Sequence, residues 1–339
     1  EIVLVTGVQT CALPIFAKTQ LRNQLVDNTP QQVEAIKNEQ ETPYYVQEHM
    51  AGLWLSLGSE NLVNMFGAGQ FDTEVANENH AKSMEGVNRG ISSAFIHLKD
   101  LLSEVSNKAE FAGTQVADMP IRYAFNMTRV GRLQMLGRHN PQANKIVREA
   151  ILPTRSTLDL SSQTGEPYQY FGLAMAQGIG LKVHKQTLDD SLTQVHDLLE
   201  GSLKPAVDTL TNWLSKYDTA TMLDPSAVLS TGEVDTLVQA FKDAKKGLTP
   251  VALHSVMEYA RYKMAEDKSA FTTSLYVEAD GVTNGPINAM VLFTPGTFTK
   301  TWIENIAKGG LAINKPGATV NSHNLVDKKD MYETTTDVL

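Results

Sequence analysis

A single cysteine, Cys11, in 339 residues excludes an internal disulfide and a cysteine-rich zinc site. No apolar run approaches the ~20 residues that a membrane-spanning helix requires, so a soluble chain with no membrane partner is expected. Positive charge is in deficit as well, with 29 Lys and Arg against 38 Asp and Glu and a net charge of −9. Nucleic-acid binding by bulk electrostatics rests on Lys and Arg displacing counterions from phosphates, so any such contact must here be local. What remains is ordinary for a globular protein, 42% apolar, 20% charged and 7% aromatic, and the length suffices for two or three domains with real cores.

The chain opens at Glu1 without a methionine, and the run VTGVQTCALPI, Val5 to Ile15, looks like the translation of a sequencing-library adaptor. A signal peptide fits less well, because there is no basic segment and Thr6, Gln9 and Thr10 interrupt the apolar run. Residues 1–16 are therefore set aside from the fold. From Ala17 to about Ala109 the pattern is helical. Thr29-Pro30 and Thr42-Pro43 each place an N-cap before a first-turn proline, and Gln32 stands where a capping-box partner would. Phe95, Leu98, Leu101, Leu102 and Val105 share one face of a long helix. Further on, Ser230 and Glu233 form a capping box, and Thr249-Pro250 opens a helix with a stripe of Leu253, Val256, Met257 and Ala260.

The texture changes between Ile121 and Arg155. Arg122, Arg129, Arg132, Arg138, Lys145, Arg148 and Arg155 face Glu149 alone, a local +6 that leaves about −15 on the remainder. Tyr123, Phe125 and Met127 alternate up to a turn at Gly131, and Leu133 and Met135 follow, which reads as a β-hairpin or a bent strand pair. Asn140-Pro141 then marks a turn into a helix. On charge alone this stretch is equally a solvated basic face. The guanidinium fork does make bidentate, charge-assisted bonds to phosphate, and a glycine beside it lets a duplex approach closely.

A second candidate lies at Leu275 to Met290, LYVEADGVTNGPINAM. The period-two alternation puts Asp280, Glu278 and Tyr276 on one face of a strand, and Gly281 and Gly285 permit a sharp turn after it. An aspartate at such a strand end is placed to hold magnesium, though a turn or N-cap role also accounts for it. A calcium loop beginning at Asp280 is excluded, since it leaves Val282 at a ligand position and Val291 where a bidentate Glu is required.

TRVGR, Thr128 to Arg132, followed by HNPQANK resembles the T/DxxGR motif and the asparagine-proline-glutamine turn of the single-subunit phage-type RNA polymerases. Thr at the first position is similar to the virion-packaged RNA polymerases of Schitoviridae-type podophages. The order of helix, strand and DGxxxG resembles motif A of the same family, and Asp330-Met331-Tyr332 resembles the start of the helix leading to motif B. The resemblance implies that Asp280 is the first catalytic carboxylate and that the Gly281 carbonyl is a second magnesium ligand. It further implies that Thr128, Arg129, Arg132, Arg138 and Asn140 contact nucleic acid, with Arg132 beside the template and hybrid. The implied fold is α+β, mainly α: a truncated right-hand polymerase with a helical N-terminal or thumb-like part and an incomplete palm bearing a small antiparallel sheet.

The expected organisation is a helical region over 17–115, a palm start over 116–165, a helical palm insertion over 166–270, and the motif A strand with the start of the fingers over 271–339. The implied activity is magnesium-dependent RNA synthesis from ribonucleoside triphosphates on a DNA template. Its partners are that template, including a single-stranded hairpin promoter, the nascent RNA, and a missing C-terminal part of the same polypeptide that carries motifs B and C. The 339 residues alone are expected to be inactive, and the location to be the virion and then the host cytoplasm. The rival readings are a right-hand DNA polymerase and a helical virion structural protein that binds DNA passively.

Overall fold

The computed structural model describes residues 29–67, 78–128, 132–137, 139–183, 186–225 and 227–277. These are mainly helical, with three small two-stranded antiparallel sheets. They divide into two compact units: the described residues up to Thr154 together with Lys216–Leu229, and Arg155–Ser215 together with the described residues from Ser230. Among the described residues no helix is long and apolar enough to cross a membrane.

In the first unit, α1 (Pro30–Glu41) begins as its sequence dictates. Thr29 accepts from the Gln32 amide while the Gln32 side chain takes the Thr29 N–H, so two N–H groups without helical partners are satisfied at once. The expected second start at Thr42-Pro43 is not there. Thr42 closes α1, and Tyr44 exchanges two backbone hydrogen bonds with Ile121, 2.7 and 2.8 Å long. The adjoining β1 (Tyr45–Val46) pairs with β4 (Ile151–Leu152). The proline blocks further helix but not this extended pairing, and the non-local partners decide the outcome.

The core of the unit lies between α2 (Glu48–Phe66) and α3 (Glu78–Ala112), joined by the short α4 (Lys145–Ala150). Met50, Leu53, Trp54, Leu57 and Leu62 from α2 meet Leu98, Leu101, Leu102 and Val105 from α3, all buried. Gly58, at φ +73°, supplies the left-handed residue at which α2 kinks. Trp54 ties α2 to α4 by donating its indole N–H to the Ile146 carbonyl at 3.1 Å. The segment Lys216–Leu229 returns to this unit through Tyr217, whose hydroxyl donates to the Glu48 carbonyl at 3.0 Å and whose ring lies directly against Gly52. A Cβ at position 52 would overlap that ring.

The second unit packs α5 (Glu166–Gly178), α6 (Leu188–Glu200), α7 (Lys204–Leu214) and α8 (Thr231–Asp243) around α9 (Pro250–Met264), which is buried over most of its length. The Ser230–Glu233 capping box and the Thr249 cap form as the sequence predicts. β5 (Ser156–Leu158) pairs with β6 (Phe271–Thr273). The strand expected over 275–280 is met earlier, at Phe271–Thr273; Leu275–Val277 lie beyond β6, and the rest lies outside the described residues.

A buried polar network joins α9 to the chain that follows. The Glu258 carboxylate accepts from Thr273 at 2.7 Å and from Arg261 at 2.6 Å, and His254 Nε2 lies 2.9 Å from the Ser274 hydroxyl. Burial pushes the Glu258 carboxyl up, but the charge of Arg261, His254 and the hydrogen bonds from Thr273 and Arg261 outweigh it, leaving the group below its ordinary 4.5.

Gly52→Ala is expected to destabilise the chain by ~1–3 kcal/mol through overpacking against Tyr217, read as a lower urea midpoint at unchanged slope. The depressed Glu258 carboxyl binds its proton less readily than in the unfolded chain. Its stabilisation is thus full above the unfolded value and is lost as pH falls through the folded one. Glu258→Gln should cost ~3 kcal/mol at neutral pH by stranding Arg261. The gap between the two proteins should then narrow below about pH 4.5 in pH-resolved denaturation.

Candidate nucleic-acid interface

The basic stretch folds as the hairpin that its alternation predicts. β2 (Phe125–Met127) and β3 (Leu133–Met135) pair in the register Phe125↔Met135, Asn126↔Gln134 and Met127↔Leu133. Tyr123, Phe125, Met127 and Met135 turn one face into the core. The opposite face carries Arg122, Asn126, Thr128, Arg132 and Gln134 by the same period of two, and Arg122 and Arg132 are exposed.

Thr128 governs the mouth of the loop. Its backbone N–H donates to the Arg132 carbonyl at 2.8 Å, and its hydroxyl accepts from the Arg132 N–H at 3.1 Å. The arginine backbone is thus held on both of its polar groups by one residue, while its side chain points to solvent. Lys145, at the start of α4, is a further exposed cation of this unit.

In an antiparallel ribbon every second residue aims its N–H and C=O away from the partner strand. Here several of those groups find side-chain amides. On the β2 edge the Phe125 N–H donates to Gln40 Oε1 of α1 at 3.2 Å. On the β3 edge the Met135 N–H donates to Gln142 Oε1 at 2.8 Å, and Gln142 Nε2 reaches the Leu133 carbonyl at 3.4 Å. Gln142 sits in the turn after the hairpin, where Asn140 Nδ2 donates to the Gly137 carbonyl at 2.7 Å and its Oδ1 accepts from the Ala143 N–H at 2.7 Å. Arg148 Nε closes the turn from α4 by donating to the Pro141 carbonyl at 3.2 Å.

His139, at the head of this turn, lies edge-on to His97 of α3 with centroids 5.4 Å apart, and its carbonyl accepts from the Tyr123 hydroxyl at 2.9 Å. Burial lowers the His139 imidazole below its ordinary range and His97 adds to that. A backbone hydrogen bond with His97 and the carboxylates of Asp100 and Glu104 act in the opposite sense.

Of the residues singled out by sequence, Thr128 and Arg132 come together in the hairpin mouth. Asn140 is placed otherwise than as a surface contact: it is 7% exposed and its amide is committed to the turn. Arg129, Arg138, Asp280 and Gly281 lie outside the described residues. Sequence reasoning passed over Gln40 and took Gln142 only as a member of the turn, since a glutamine that pairs with a strand edge carries no pattern of its own. Asn140→Ala, which strands the Gly137 carbonyl and leaves the Ala143 N–H only the Asn140 carbonyl, should destabilise by ~1–3 kcal/mol in equilibrium unfolding.

Residues 31–151 match the family model of a virion DNA-directed RNA polymerase domain, and residues 169–263 match that of the plug insertion of virion DNA-directed RNA polymerase. Over 328 residues, 96% of its length, the chain is 47% identical to the virion DNA-directed RNA polymerase of Enterobacteria phage N4, and it spans 9% of that protein.

Proposed function

The chain belongs to the virion DNA-directed RNA polymerases, and we propose that its part in such an enzyme is to hold nucleic acid at the β2–β3 hairpin and to supply the first catalytic carboxylate. The enzyme in question synthesises RNA from ribonucleoside triphosphates on a DNA template, travels in the virion, and acts in the host cytoplasm on single-stranded hairpin promoters. The overall architecture would be the right hand, with this chain giving its thumb-like helical part and the beginning of its palm.

The observation that carries the reading is the arrangement of Thr128 and Arg132. An exposed guanidinium is mounted on a backbone fixed from both polar groups, in a stretch of local charge +6 within an acidic chain. Preorganised backbone reduces the ordering cost of a phosphate contact, and a guanidinium fork suits two phosphate oxygens at once. Arg129, Arg138 and Lys145 would extend the contact along the backbone of a template–RNA hybrid. Asn140, its amide occupied, would shape the surface rather than touch the ligand.

Asp280, with the carbonyl of Gly281, would hold magnesium, which in phosphoryl transfer activates the attacking hydroxyl and steadies the leaving pyrophosphate. Two metals take a second carboxylate, so the 339 residues by themselves are expected to bind nucleic acid without extending it.

In the full-length polymerase, Arg132→Gln is expected to weaken binding of a DNA–RNA hybrid ~10-fold and to reduce the slope of log affinity against log salt by about one. Unchanged affinity and slope would overturn the reading. Asp280→Ala should abolish RNA synthesis while retaining template binding. A protein that binds packaged DNA passively would be indifferent to it.

A further inference from the structure

We propose that Gln142 is a positioning residue for Arg132, serving in place of a third strand along the open edge of β3; the inference rests on the reading of Arg132 given above. The hairpin strands are three residues each, and a lone two-stranded ribbon of that length is marginal in water. Arg132 directly precedes β3. Its own N–H and C=O face β2, where Thr128 takes both. Among the outward-facing groups that follow are the Leu133 carbonyl and the Met135 N–H, and the two ends of the Gln142 amide meet these two, at 3.4 and 2.8 Å.

A primary amide presents a carbonyl and an N–H on one side, as a residue of a neighbouring extended strand presents its own N–H and C=O, so it stands in for one residue of such a strand. Arg132 is then held on one edge by Thr128, and the adjoining Leu133 carbonyl on the other edge by Gln142. The β2 edge is served differently. Gln40 takes only the Phe125 N–H, at the end of the ribbon far from the loop. Gln142 is also anchored behind, because the Asn140 amide and the Arg148 guanidinium hold the turn that carries it.

Positioning predicts coupling between two residues, whereas general support of the fold predicts independent costs. The test is a double-mutant cycle in the full-length polymerase, read as the dissociation constant for a DNA–RNA hybrid at fixed salt, well below the unfolding temperature. Gln142→Met, which keeps length and removes the amide, should weaken binding ~5-fold when Arg132 is present and less than twofold in the Arg132→Gln background. Gln40→Met should leave the effect of Arg132→Gln intact. Should Gln142→Met lower the folded fraction, Gln142→Glu, which keeps the acceptor for Met135 and loses the donor to Leu133, supplies the same cycle. Equal losses from Gln142→Met in both backgrounds would overturn the positioning role and leave the role of Arg132 standing. No loss from Arg132→Gln alone would overturn both.

Discussion

Each strand of the β2–β3 ribbon has two edges, and pairing satisfies only one of them. Buried or half-buried N–H and C=O groups left without partners cost ~1–3 kcal/mol each, so a three-residue strand cannot persist unless something meets its outer edge. In this chain side-chain amides do so. Gln40 takes the Phe125 N–H of β2, Gln142 takes the Met135 N–H and the Leu133 carbonyl of β3, and Asn140 binds the carbonyl of Gly137 just beyond. The mount of Arg132 depends on that arrangement more than on the hydrophobic contacts of Phe125 and Met135 beneath it, because apolar burial is non-directional and does not aim a loop.

The second unit meets a related demand with charge. Glu258 is almost wholly buried on α9, and a buried carboxylate is tolerated only when paired and hydrogen-bonded. Arg261 and Thr273 provide this, and Thr273 in turn accepts the Leu275 N–H at 3.1 Å. The helix therefore grips the backbone just past β6 by its polar groups as well as by the aromatic cluster of Phe171, Tyr262 and Phe271. A packed apolar contact there would tolerate sliding; a carboxylate shared between a guanidinium and a hydroxyl fixes the register.

Features set by residues three or four apart were legible in the sequence. The capping boxes at Thr29 and Ser230 and the cap at Thr249 formed where their spacing placed them, and the hairpin followed its alternation. Where distant partners decide, the sequence was silent or misleading. Thr42-Pro43 has the local form of a helix start, yet Tyr44 pairs with Ile121 instead. Gln40 meets Phe125 across 85 residues, and nothing about a glutamine at the end of a polar helix announces it. Asn140 carries a surface-contact composition in a basic segment, but its short amide is better used inward, where three nearby backbone groups converge on it. The Arg132 mount is thus half legible: the motif named the arginine, and the groups that hold it emerged only from the fold.

Tyr217 lies within the stretch that matches the plug insertion, yet it packs on Gly52 and Glu48 of the first unit. The insertion is consequently not a cassette. Excising 169–263 to leave a smaller enzyme would remove the ring that fills the space above Gly52, opening a cavity in the very unit meant to survive. A deletion that respects the architecture would keep Lys216–Leu229 as a tethered strap, or replace the lost ring by a larger side chain at position 52, so that the cut is judged by where side chains go rather than by where the homology begins and ends.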